Sequence, residues 1–349
     1  MKLALIGDGN SIHIVRWAEW FHANGNEVQM ISLTRLNNPS KAFTRYCEIP
    51  VLTGPLAYLR RIFPVRDAVA AWRPDIVHGH YMTGGGFYAS TSGCDKVVVS
   101  AWGSDIYKDA KDKYKAWCIK YAMNHADVVL GDSNHIVKVV KGMCPNARAE
   151  KIIFGIDTEK FKPAPIPHDK FRFLSTRGTS PIYNPMAIVQ GFEVANLDAE
   201  LWMYLPTVEC QDVKDYVDAK PELKSKVVWI ANRQYDQMPE LYNSVDVGIS
   251  VPSWDSSSTA MMECMACGVP VIAGAIPQVE EWILGHWNGF LSQINSECLA
   301  KTMAEAISPK TDLQLIGGRA RDAVYHEGDY QTEMRKAEKF YQEVLDANR

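Results

Sequence analysis

Residues 254 to 272 read WDSSSTAMMECMACGVPVI, and this stretch predicts a polar turn, a helix and a strand in succession. The serines at 256 to 258 are favourable N-cap residues, and Gly268 followed by Pro270 is a helix stop signal. A preceding apolar run predicts another strand. Strand, turn, helix and strand in this order are typical of a parallel α/β sheet, whose ligands bind at the carboxyl ends of its strands.

The start of this helix suits a negatively charged ligand. Its first backbone N–H groups have no intrahelical partner and the helix dipole adds partial positive charge, so a diphosphate fits there. Glu263 lies about one turn further inside an otherwise apolar helix, where an unpaired carboxylate would be costly. Paired sugar hydroxyls would supply the donors that it needs. A neighbouring backbone group or an arginine is the structural alternative, and it explains this carboxylate equally well.

Composition limits the class of protein. The chain has 349 residues, of which 47% are hydrophobic and 22% charged, so two domains with large cores are expected. A formal net charge of -4 gives no electrostatic case for nucleic acid as a partner. No apolar run approaches the length of a membrane-spanning helix, and the chain begins with a strand pattern in place of a signal peptide. The 8 scattered cysteines fit a reducing compartment, which predicts a cytoplasmic protein.

Strand and helix patterns alternate along the chain and restart after a proline-rich segment. Residues 162–167, KPAPIP, contain three prolines that cannot join a sheet ladder, and they predict a linker. The alternation then resumes and includes a helix at about residues 208–218. We therefore expect an α/β protein with two Rossmann-like, doubly wound domains, residues 1–163 and 164–327. A last helix, within residues 328–349, is expected to cross back to the first domain.

Polar residues follow several strands of the first half. The turn Gly7-Asp8-Gly9 lets backbone approach a ligand closely, although a plain tight turn explains its glycines equally well. Asp105 follows a strand at residues 96–100 and is either an acidic group that faces the cleft or an Asx-type helix cap. His78 and His80 share one face of another strand, and they predict the polar lining of a pocket more than a metal site.

Two further patterns have an ordinary structural explanation beside a functional one. Cys264 and Cys267 have CxxC spacing, but no second pair accompanies them, so buried small residues are expected and no metal site. Residues 54–73 place basic side chains among apolar ones, which favours a solvated helix face over a membrane-surface patch that recruits a lipid-linked acceptor. The residues concerned are Arg60, Arg61, Arg66 and Arg73 among Leu59, Ile62, Phe63 and Val65.

The whole chain resembles a glycosyltransferase of family 4, which has the GT-B architecture of two Rossmann-like domains that face a central cleft. The most specific match is the family's Glu-x7-Glu pattern, which stands here as Asp255-x7-Glu263. The following residues read CMACGVPVI in place of the family's AMAxGxPVI. Supporting matches are Gly155-Ile156-Asp157 and Asn288-Gly289-Phe290.

The resemblance implies roles for matching residues in the second half. Glu263 would accept hydrogen bonds from the ribose hydroxyls of a nucleotide, and Asp255 would contact the donor sugar. The backbone at Ser257, Ser258 and Thr259 would hold the diphosphate at the helix start.

The resemblance also assigns a cation and a loop to the donor phosphates. Arg177 would stabilise the departing diphosphate with its fixed fork of donors, and Gly9 would approach the phosphates from the other domain. Arg177, Asp255 and Asp105 are thus the candidate catalytic residues.

The chain departs from the family at two positions. Many relatives have a lysine a few residues after the arginine, where this chain has Tyr183-Asn184. Many also have a histidine where Trp102 stands, and a tryptophan exchanges no proton. Arg177 or another cation must then carry more of the leaving-group charge. Asp105 or a nearby histidine, His78 or His80, would orient the acceptor.

The expected function is retaining transfer of a hexose from a nucleotide diphosphate sugar, UDP- or GDP-linked, to an acceptor hydroxyl. A donor phosphate oxygen would take the acceptor's proton, so neither a strong protein base nor a metal or other cofactor is expected. The expected acceptor is a sugar, a lipid-linked molecule or a small molecule, and peripheral membrane contact is compatible with this. Two alternatives are a sugar-nucleotide epimerase or hydrolase on the same fold and a non-catalytic nucleotide-sugar-binding subunit. A NAD-dependent dehydrogenase is disfavoured by the missing third glycine. No pattern selects the base, the sugar, the acceptor or an oligomeric state.

Overall fold

The computed structural model describes residues 1–52, 56–178, 180–205 and 210–347. Gly54 and Pro55 of the predicted basic patch, the predicted helix start at Val208, and residues 348–349 of the last predicted segment lie outside these ranges. The chain divides into two compact units. Unit 1 comprises Met1–Phe154 and Thr332–Arg349, and unit 2 comprises Gly155–Gln331.

Unit 1 is built around a parallel β-sheet. Its strands are β1 (Lys2–Gly7), β2 (Glu27–Ser32), β3 (Arg45–Glu48), β4 (Ile76–His80), β5 (Val97–Ala101), β6 (Val128–Gly131) and β7 (Ala149–Lys151). Every residue of β4 and β5 is buried, as expected for a sheet that helices cover on both faces. The strand order is β3-β2-β1-β4-β5-β6-β7. The order reverses between β1 and β4, and their carboxyl ends are the position at which such sheets bind ligands.

Helices and short helical turns connect these strands. The α-helices are α1 (Ile12–Ala23), α2 (Ala57–Arg60), α3 (Ile62–Trp72), α4 (Phe87–Ser90), α5 (Ser104–Tyr107), α6 (Lys113–His125) and α7 (Asn134–Met143). A π-helical segment, Tyr81–Gly86, directly continues β4. Within the described ranges, no helix of the chain combines the length and the apolar character needed to cross a membrane.

Unit 2 has a second parallel sheet. Its strands are β8 (Phe171–Ser175), β9 (Ala199–Leu205), β10 (Val227–Ala231), β11 (Val247–Ser250), β12 (Val271–Gly274) and β13 (Phe290–Ser292). The strand order is β10-β9-β8-β11-β12-β13, so the reversal falls between β8 and β11. Strand β11 leads directly into the stretch 254–272. The sequence-predicted helix start therefore lies at the ligand-binding edge of this sheet.

The helices of unit 2 include the one predicted from the serine-rich turn. They are α8 (Pro185–Ala195), α9 (Gln211–Asp218), α10 (Pro221–Lys224), α11 (Met238–Asn243), α12 (Thr259–Ala266), α13 (Pro277–Glu280), α14 (Ser296–Ala306) and α15 (Leu313–Glu327). Helix α12 ends as predicted, because Gly268 adopts a left-handed φ of 76°. A β-carbon at Gly317 of α15 would lie 1.9 Å from the Gly268 carbonyl oxygen. Close packing of α15 therefore holds this turn.

The proline-rich segment is part of unit 2 and is not a free linker. The amide of Ala164 donates to Oδ1 of Asn243 at 2.6 Å, and the amide of Ile166 donates to the Asn243 carbonyl at 2.8 Å. The chain divides after Phe154, before the boundary predicted at residue 163, since this segment is hydrogen-bonded within unit 2.

Helix α16 (Tyr330–Asp346) is the last helix, and its residues from Thr332 belong to unit 1. The Tyr341 hydroxyl accepts a 2.9 Å hydrogen bond from Nε1 of Trp17, and its ring stacks on Phe21 at a centroid distance of 4.9 Å. The amide of Ile153 donates to Glu333 at 2.9 Å. The helix therefore contributes to the core of unit 1.

Candidate active site

The N-terminus of α12 follows β11 at the carboxyl end of this strand, where sheets of this type bind their ligands. Ser258 is its N-cap residue, yet the serine side chain makes no capping bond to the helix. Its hydroxyl instead accepts a 2.8 Å hydrogen bond from Nη1 of Arg177. Ser258 is 1% exposed, so this contact is shielded from solvent. The helix start is thus joined to a cation, and both attract anions.

Arg177 follows β8, and its guanidinium is held by several neighbours. Beside Ser258, its Nη2 donates to the Tyr183 hydroxyl at 2.8 Å, and its Nη1 lies 3.3 Å from Oδ2 of Asp255. Burial alone would lower the pKa of Arg177, but the Asp255 carboxylate and Tyr183 raise this pKa above its ordinary value. The side chain is therefore a permanent cation in a fixed position at the helix start.

Asp255 divides its two carboxylate oxygens between backbone and cation. Oδ1 accepts a 2.9 Å hydrogen bond from the amide of Ser256, and Oδ2 forms the ion pair with Arg177. This pair is close but not aligned as a hydrogen bond. Asp255 neutralises part of the Arg177 charge, so a diphosphate that binds here must compete with it. The sequence predicted a sugar contact for Asp255 and did not predict this pairing.

Tyr183 is also part of the site. The sequence indicated it only as a residue that stands where many relatives have a lysine. Its ring centroid lies 4.4 Å from Cζ of Arg177, in addition to the hydrogen bond from Nη2. A guanidinium over an aromatic face is favourable and keeps its planar orientation. Asn184 has a left-handed φ of 51° and donates to the Val251 carbonyl at 2.8 Å, which anchors this loop to the strand end. The chain therefore uses Tyr183 to position the arginine.

Glu263 lies further along α12 and is 6% exposed. Its Oε2 accepts a 3.1 Å hydrogen bond from the hydroxyl of Tyr242 on α11. Burial, and then the Glu263 carboxylate, raises the pKa of Tyr242 well above its ordinary value, so the phenol remains a donor. The sequence predicted a backbone group or an arginine as the structural partner of Glu263, and it did not predict this tyrosine hydroxyl. Tyr242 is thus a second site residue that the sequence pattern did not reveal.

The remaining predicted residues of the helix start are held by the surrounding fold. Ser257 is 7% exposed, and its Oγ accepts a 3.2 Å hydrogen bond from Nε1 of Trp282. Thr259 is the first residue of α12. Unit 2 therefore brings Arg177, Asp255 and the serines together within one turn of the helix start.

Cys264 and Cys267 are buried thiols within and just after α12. Burial raises the pKa of Cys264 well above its ordinary value and raises that of Cys267 to about 12. Both therefore stay protonated near neutral pH, which disfavours metal ligation. The described part of the chain contains no cluster of three or more His, Cys, Asp or Glu side chains suited to a metal ion.

Asp105 of unit 1 is fully buried, and backbone amides surround it. Its carboxylate accepts hydrogen bonds from the amides of Met82 at 2.8 Å, Trp102 at 3.0 Å and Ile106 at 3.0 Å. Burial raises the pKa of Asp105 to about 6, although these amides oppose the shift. Such bonding ties the loop after β5 to the π-helical segment. It favours the structural alternative, while the catalytic role of Asp105 stays a prediction.

Gly9 has a packing reason to be glycine. A β-carbon there would lie 2.4 Å from Cδ2 of Leu36 and 3.1 Å from Ser32 Oγ. Its amide already donates to the Ser32 hydroxyl at 3.2 Å. The predicted phosphate contact of Gly9 therefore receives no separate support from the geometry of this loop.

His78 and His80 lie inside unit 1, and the prediction that they line a pocket is wrong for this structure. Nε2 of His78 lies 2.7 Å from the Ser100 hydroxyl and its Nδ1 is hydrogen-bonded to Tyr341, while burial and then His80 lower its pKa well below the ordinary value. His80 is 1% exposed, and burial lowers its pKa to about 3. Its ring meets that of Trp102 edge-on at 5.9 Å. Both imidazoles are therefore neutral core groups.

Comparison with known families decides the class of protein. Residues 2–133 match the family model described as Glycosyl transferase 4-like, and residues 211–322 match the model described as Glycosyl transferases group 1. The chain is a family 4 glycosyltransferase. The second match contains Asp255, Glu263 and the whole of α12.

A curated relative of this glycosyltransferase is the N-acetyl-alpha-D-glucosaminyl L-malate synthase of Bacillus anthracis. The two are 22% identical over 263 residues, which is 72% of this chain and 68% of the relative. The protein is thus similar to an enzyme of glycosyl transfer, which supports the same general activity.

Solved structures show that the glycosyltransferase has the GT-B fold. Sucrose-phosphate synthase from Thermosynechococcus elongatus superimposes with a TM-score of 0.86 at 16% identity, and the match covers 100% of both chains. Anabaena HepE, in a complex with UDP, superimposes with a TM-score of 0.82 at 14% identity, and the match covers 98% of this chain and 100% of HepE. A third structure is HepE with UDP-glucose, with a TM-score of 0.80 at 15% identity over 98% of this chain and 100% of HepE.

Proposed function

We propose that this glycosyltransferase moves a hexose from a nucleotide diphosphate sugar to an acceptor hydroxyl, with retention of the anomeric configuration. The observation that carries the proposal is the contact between Arg177 and Ser258 at the start of α12. A guanidinium fork and a helix N-terminus are each suited to phosphate, and here they meet. The leaving group of the proposed reaction is a diphosphate, which is the anion that such a site stabilises best.

Donor binding involves an exchange of partners at Arg177. In this structure Asp255 and Tyr183 occupy the guanidinium. An incoming diphosphate brings more negative charge than Asp255 and displaces it from the cation. The released carboxylate is then available to hydrogen-bond hydroxyls of the donor sugar. Asp255 thus pairs with Arg177 when no donor is bound, and it contacts the donor sugar when the donor is present.

Glu263 is the proposed partner of the ribose hydroxyls. It is buried and bonded to Tyr242, so its carboxylate position is set before a nucleotide arrives. A carboxylate accepts from two adjacent hydroxyls without losing all its existing bonds, because its two oxygens offer about four acceptor sites. The spacing of about one turn along α12 separates this ribose contact from the diphosphate contact.

Bond cleavage in the donor generates the charge that Arg177 stabilises. The bond between the anomeric carbon and the phosphate oxygen breaks, and the pair of electrons leaves with the diphosphate. The acceptor oxygen bonds to the same face of the oxocarbenium-like sugar, and its proton passes to a donor phosphate oxygen. Fixed donors supply the positive field in this scheme, so it includes no metal ion or other cofactor.

A panel of nucleotide sugars tests donor binding first. HepE was solved with UDP and with UDP-glucose, which supports UDP-sugars as the first candidates, and GDP- and ADP-sugars complete the panel. A bound donor raises the unfolding temperature by mass action. Transfer is then assayed with that donor and sugar, lipid-linked and small-molecule acceptors. The anomeric configuration of the product is read by NMR, and an inverted product would contradict the proposed retention.

The same assay separates the alternative activities. Stoichiometric epimer or rapid free sugar without an acceptor would indicate an epimerase or a hydrolase. Tight donor binding with no transfer to any acceptor would indicate a non-catalytic binding subunit. A cytoplasmic location and a peripheral membrane contact are also part of the proposal. The membrane contact concerns unit 1, whereas the donor site lies in unit 2.

A further inference from the structure

A surface of unit 1 exposes large apolar side chains on α2, α3 and α6. Leu59 is 37% exposed, Phe63 66%, Tyr114 48% and Trp117 51%. These four residues, together with the exposed cations Arg60, Arg66, Lys113 and Lys120, define the aromatic-basic face. Leu59 and Phe63 are four residues apart in a nearly continuous helical segment, so they share one side of it.

Ring contacts join the two helical parts of this face. The ring of Tyr58 on α2 lies 5.7 Å from that of Tyr114 on α6, measured between centroids. Phe87 lies between the same helices, at 5.2 Å from Tyr58 and 5.8 Å from Trp117. The inner rings are packed, and Trp117 extends from them into solvent. These contacts therefore connect Tyr114 and Trp117 of the aromatic-basic face to Tyr58, the residue before Leu59.

Basic side chains flank each exposed ring at helical spacing. Arg60 and Arg66 lie three residues before and after Phe63, and they are exposed. Lys113 and Lys120 lie four residues before and three residues after Trp117 on α6, and they are also exposed. None of these four cations forms an ion pair with a described residue of the chain. Asp67 on α3 and Asp112 at the start of α6 each add one negative charge, so the patch remains net positive.

The structure also corrects which arginines of residues 54–73 contribute. Nη2 of Arg61 donates to the Leu33 carbonyl at 2.6 Å, so this arginine is a structural anchor. Val65 is fully buried, whereas Arg73, the residue after α3, is exposed. The predicted patch is therefore smaller in α3 than its sequence indicates and extends onto α6, which the sequence did not indicate.

We propose that the aromatic-basic face docks on the surface of an anionic phospholipid bilayer. Trp, Tyr and Phe rings favour the interface between headgroups and acyl chains, and Lys and Arg bury their stems while their charges reach anionic headgroups. A second copy of the chain fits this face less well, because a two-fold contact would bring the same four cations together. The inference does not depend on the proposed donor chemistry.

Vesicle flotation tests the docking without any activity assay. The full chain is mixed with vesicles of phosphatidylcholine alone or of phosphatidylcholine with phosphatidylglycerol. We expect binding to the anionic vesicles, weakened by salt, and little binding to the neutral ones. Arg60→Gln with Lys120→Gln should reduce the partition coefficient more than tenfold, because each lost cation weakens it about fivefold. Equal binding to both vesicle types would overturn the proposal.

Trp117→Ser tests the apolar part against a matched control. Trp287 of unit 2 is 55% exposed, so Trp287→Ser changes the same residue type at similar exposure. Trp117→Ser should lose most of the binding, and Trp287→Ser should retain it, with both unfolding transitions checked. If Trp117→Ser unfolds, the double glutamine variant decides the question. Equal loss in both serine variants, or a concentration-dependent dimer in sedimentation that Trp117→Ser abolishes, would overturn membrane docking.

Discussion

The two sheets carry their predicted site residues in different ways. In unit 2, Arg177, Asp255 and Ser258 contact one another at the start of α12, and each contact joins polar side chains. In unit 1, Asp105, His78 and His80 also follow or end strands, but they are buried in their own core. A strand end alone therefore does not make a residue functional. A convergence of charged side chains with a helix start is the more informative feature.

The largest expected effect concerns the cation of unit 2. Arg177→Ala should lower turnover by about 10²-fold or more, by analogy with the loss of one donor that stabilises a developing oxyanion. Arg177→Lys is the matched control, because it keeps the positive charge but loses the planar fork of guanidinium donors. Its turnover should lie between that of the wild type and that of Arg177→Ala. Steady-state rates of sugar transfer, with the donor identified by thermal shift, measure the turnover of each protein. Unchanged turnover in Arg177→Ala would remove the arginine from the mechanism.

A substitution in unit 1 should act on stability instead. Asp105→Ala leaves three backbone amides, two of them buried, without their acceptor. This should cost about 2 kcal/mol, or about thirtyfold in the unfolding equilibrium. Chemical denaturation measures the loss, and Asp105→Asn, which keeps one acceptor oxygen, should lose less. The turnover per folded molecule should change little. A loss of turnover with unchanged stability would show that Asp105 is catalytic, and the proposed difference between the two units would then be wrong.

The pH dependence of stability is a second test of the structural role of Asp105. Burial raises the pKa of Asp105 to about 6 in the folded protein, above its ordinary value of 3.8. Between these values the native state holds a proton that the unfolded state has released, so stability falls as pH rises from about 4 to about 6. The decrease is about 1.4 kcal/mol for each unit of pKa difference. The difference in unfolding free energy between wild type and Asp105→Asn should show this slope, and a flat difference would contradict it.

Asp255→Asn should separate the two proposed roles of this carboxylate. Removal of the charge frees Arg177 for phosphate, so UDP or the corresponding free nucleotide should bind about fivefold more tightly, equivalent to about 1 kcal/mol. Transfer from the nucleotide sugar should nevertheless slow, because the sugar contact is weakened. Calorimetry and the transfer assay measure the two effects. Weaker nucleotide binding in this variant would show that the ion pair supports the site and does not compete with donor.

The smallest expected effect is at Tyr183. Tyr183→Phe removes the hydrogen bond to Nη2 of Arg177 and keeps the ring over the guanidinium, so donor KM should rise about threefold. Tyr183→Leu removes both contacts and should have a larger effect on the same constant. Equal kinetics of all three proteins would mean that the guanidinium is positioned without Tyr183.

Local sequence features predicted the end of the unit 2 helix well, because a left-handed glycine acts over a short distance. Gly268 ends α12 as predicted, and the alternation of strands and helices predicted both parallel sheets. Contacts between distant segments were not predictable in this way. Tyr242 reaches Glu263 from α11, and Arg177 reaches Asp255 from the loop after β8. Burial, which decides the character of Asp105 and His80, likewise depends on the packing of several elements.

The most direct test of the central claim is a crystal structure of the chain with the nucleotide diphosphate that stabilises it most. We predict that the diphosphate accepts hydrogen bonds from Arg177 and from the amides at the start of α12, with the ribose hydroxyls on Glu263. Asp255 should have left the guanidinium. A bound nucleotide whose phosphates lie away from Arg177, with the ion pair to Asp255 intact, would contradict the account.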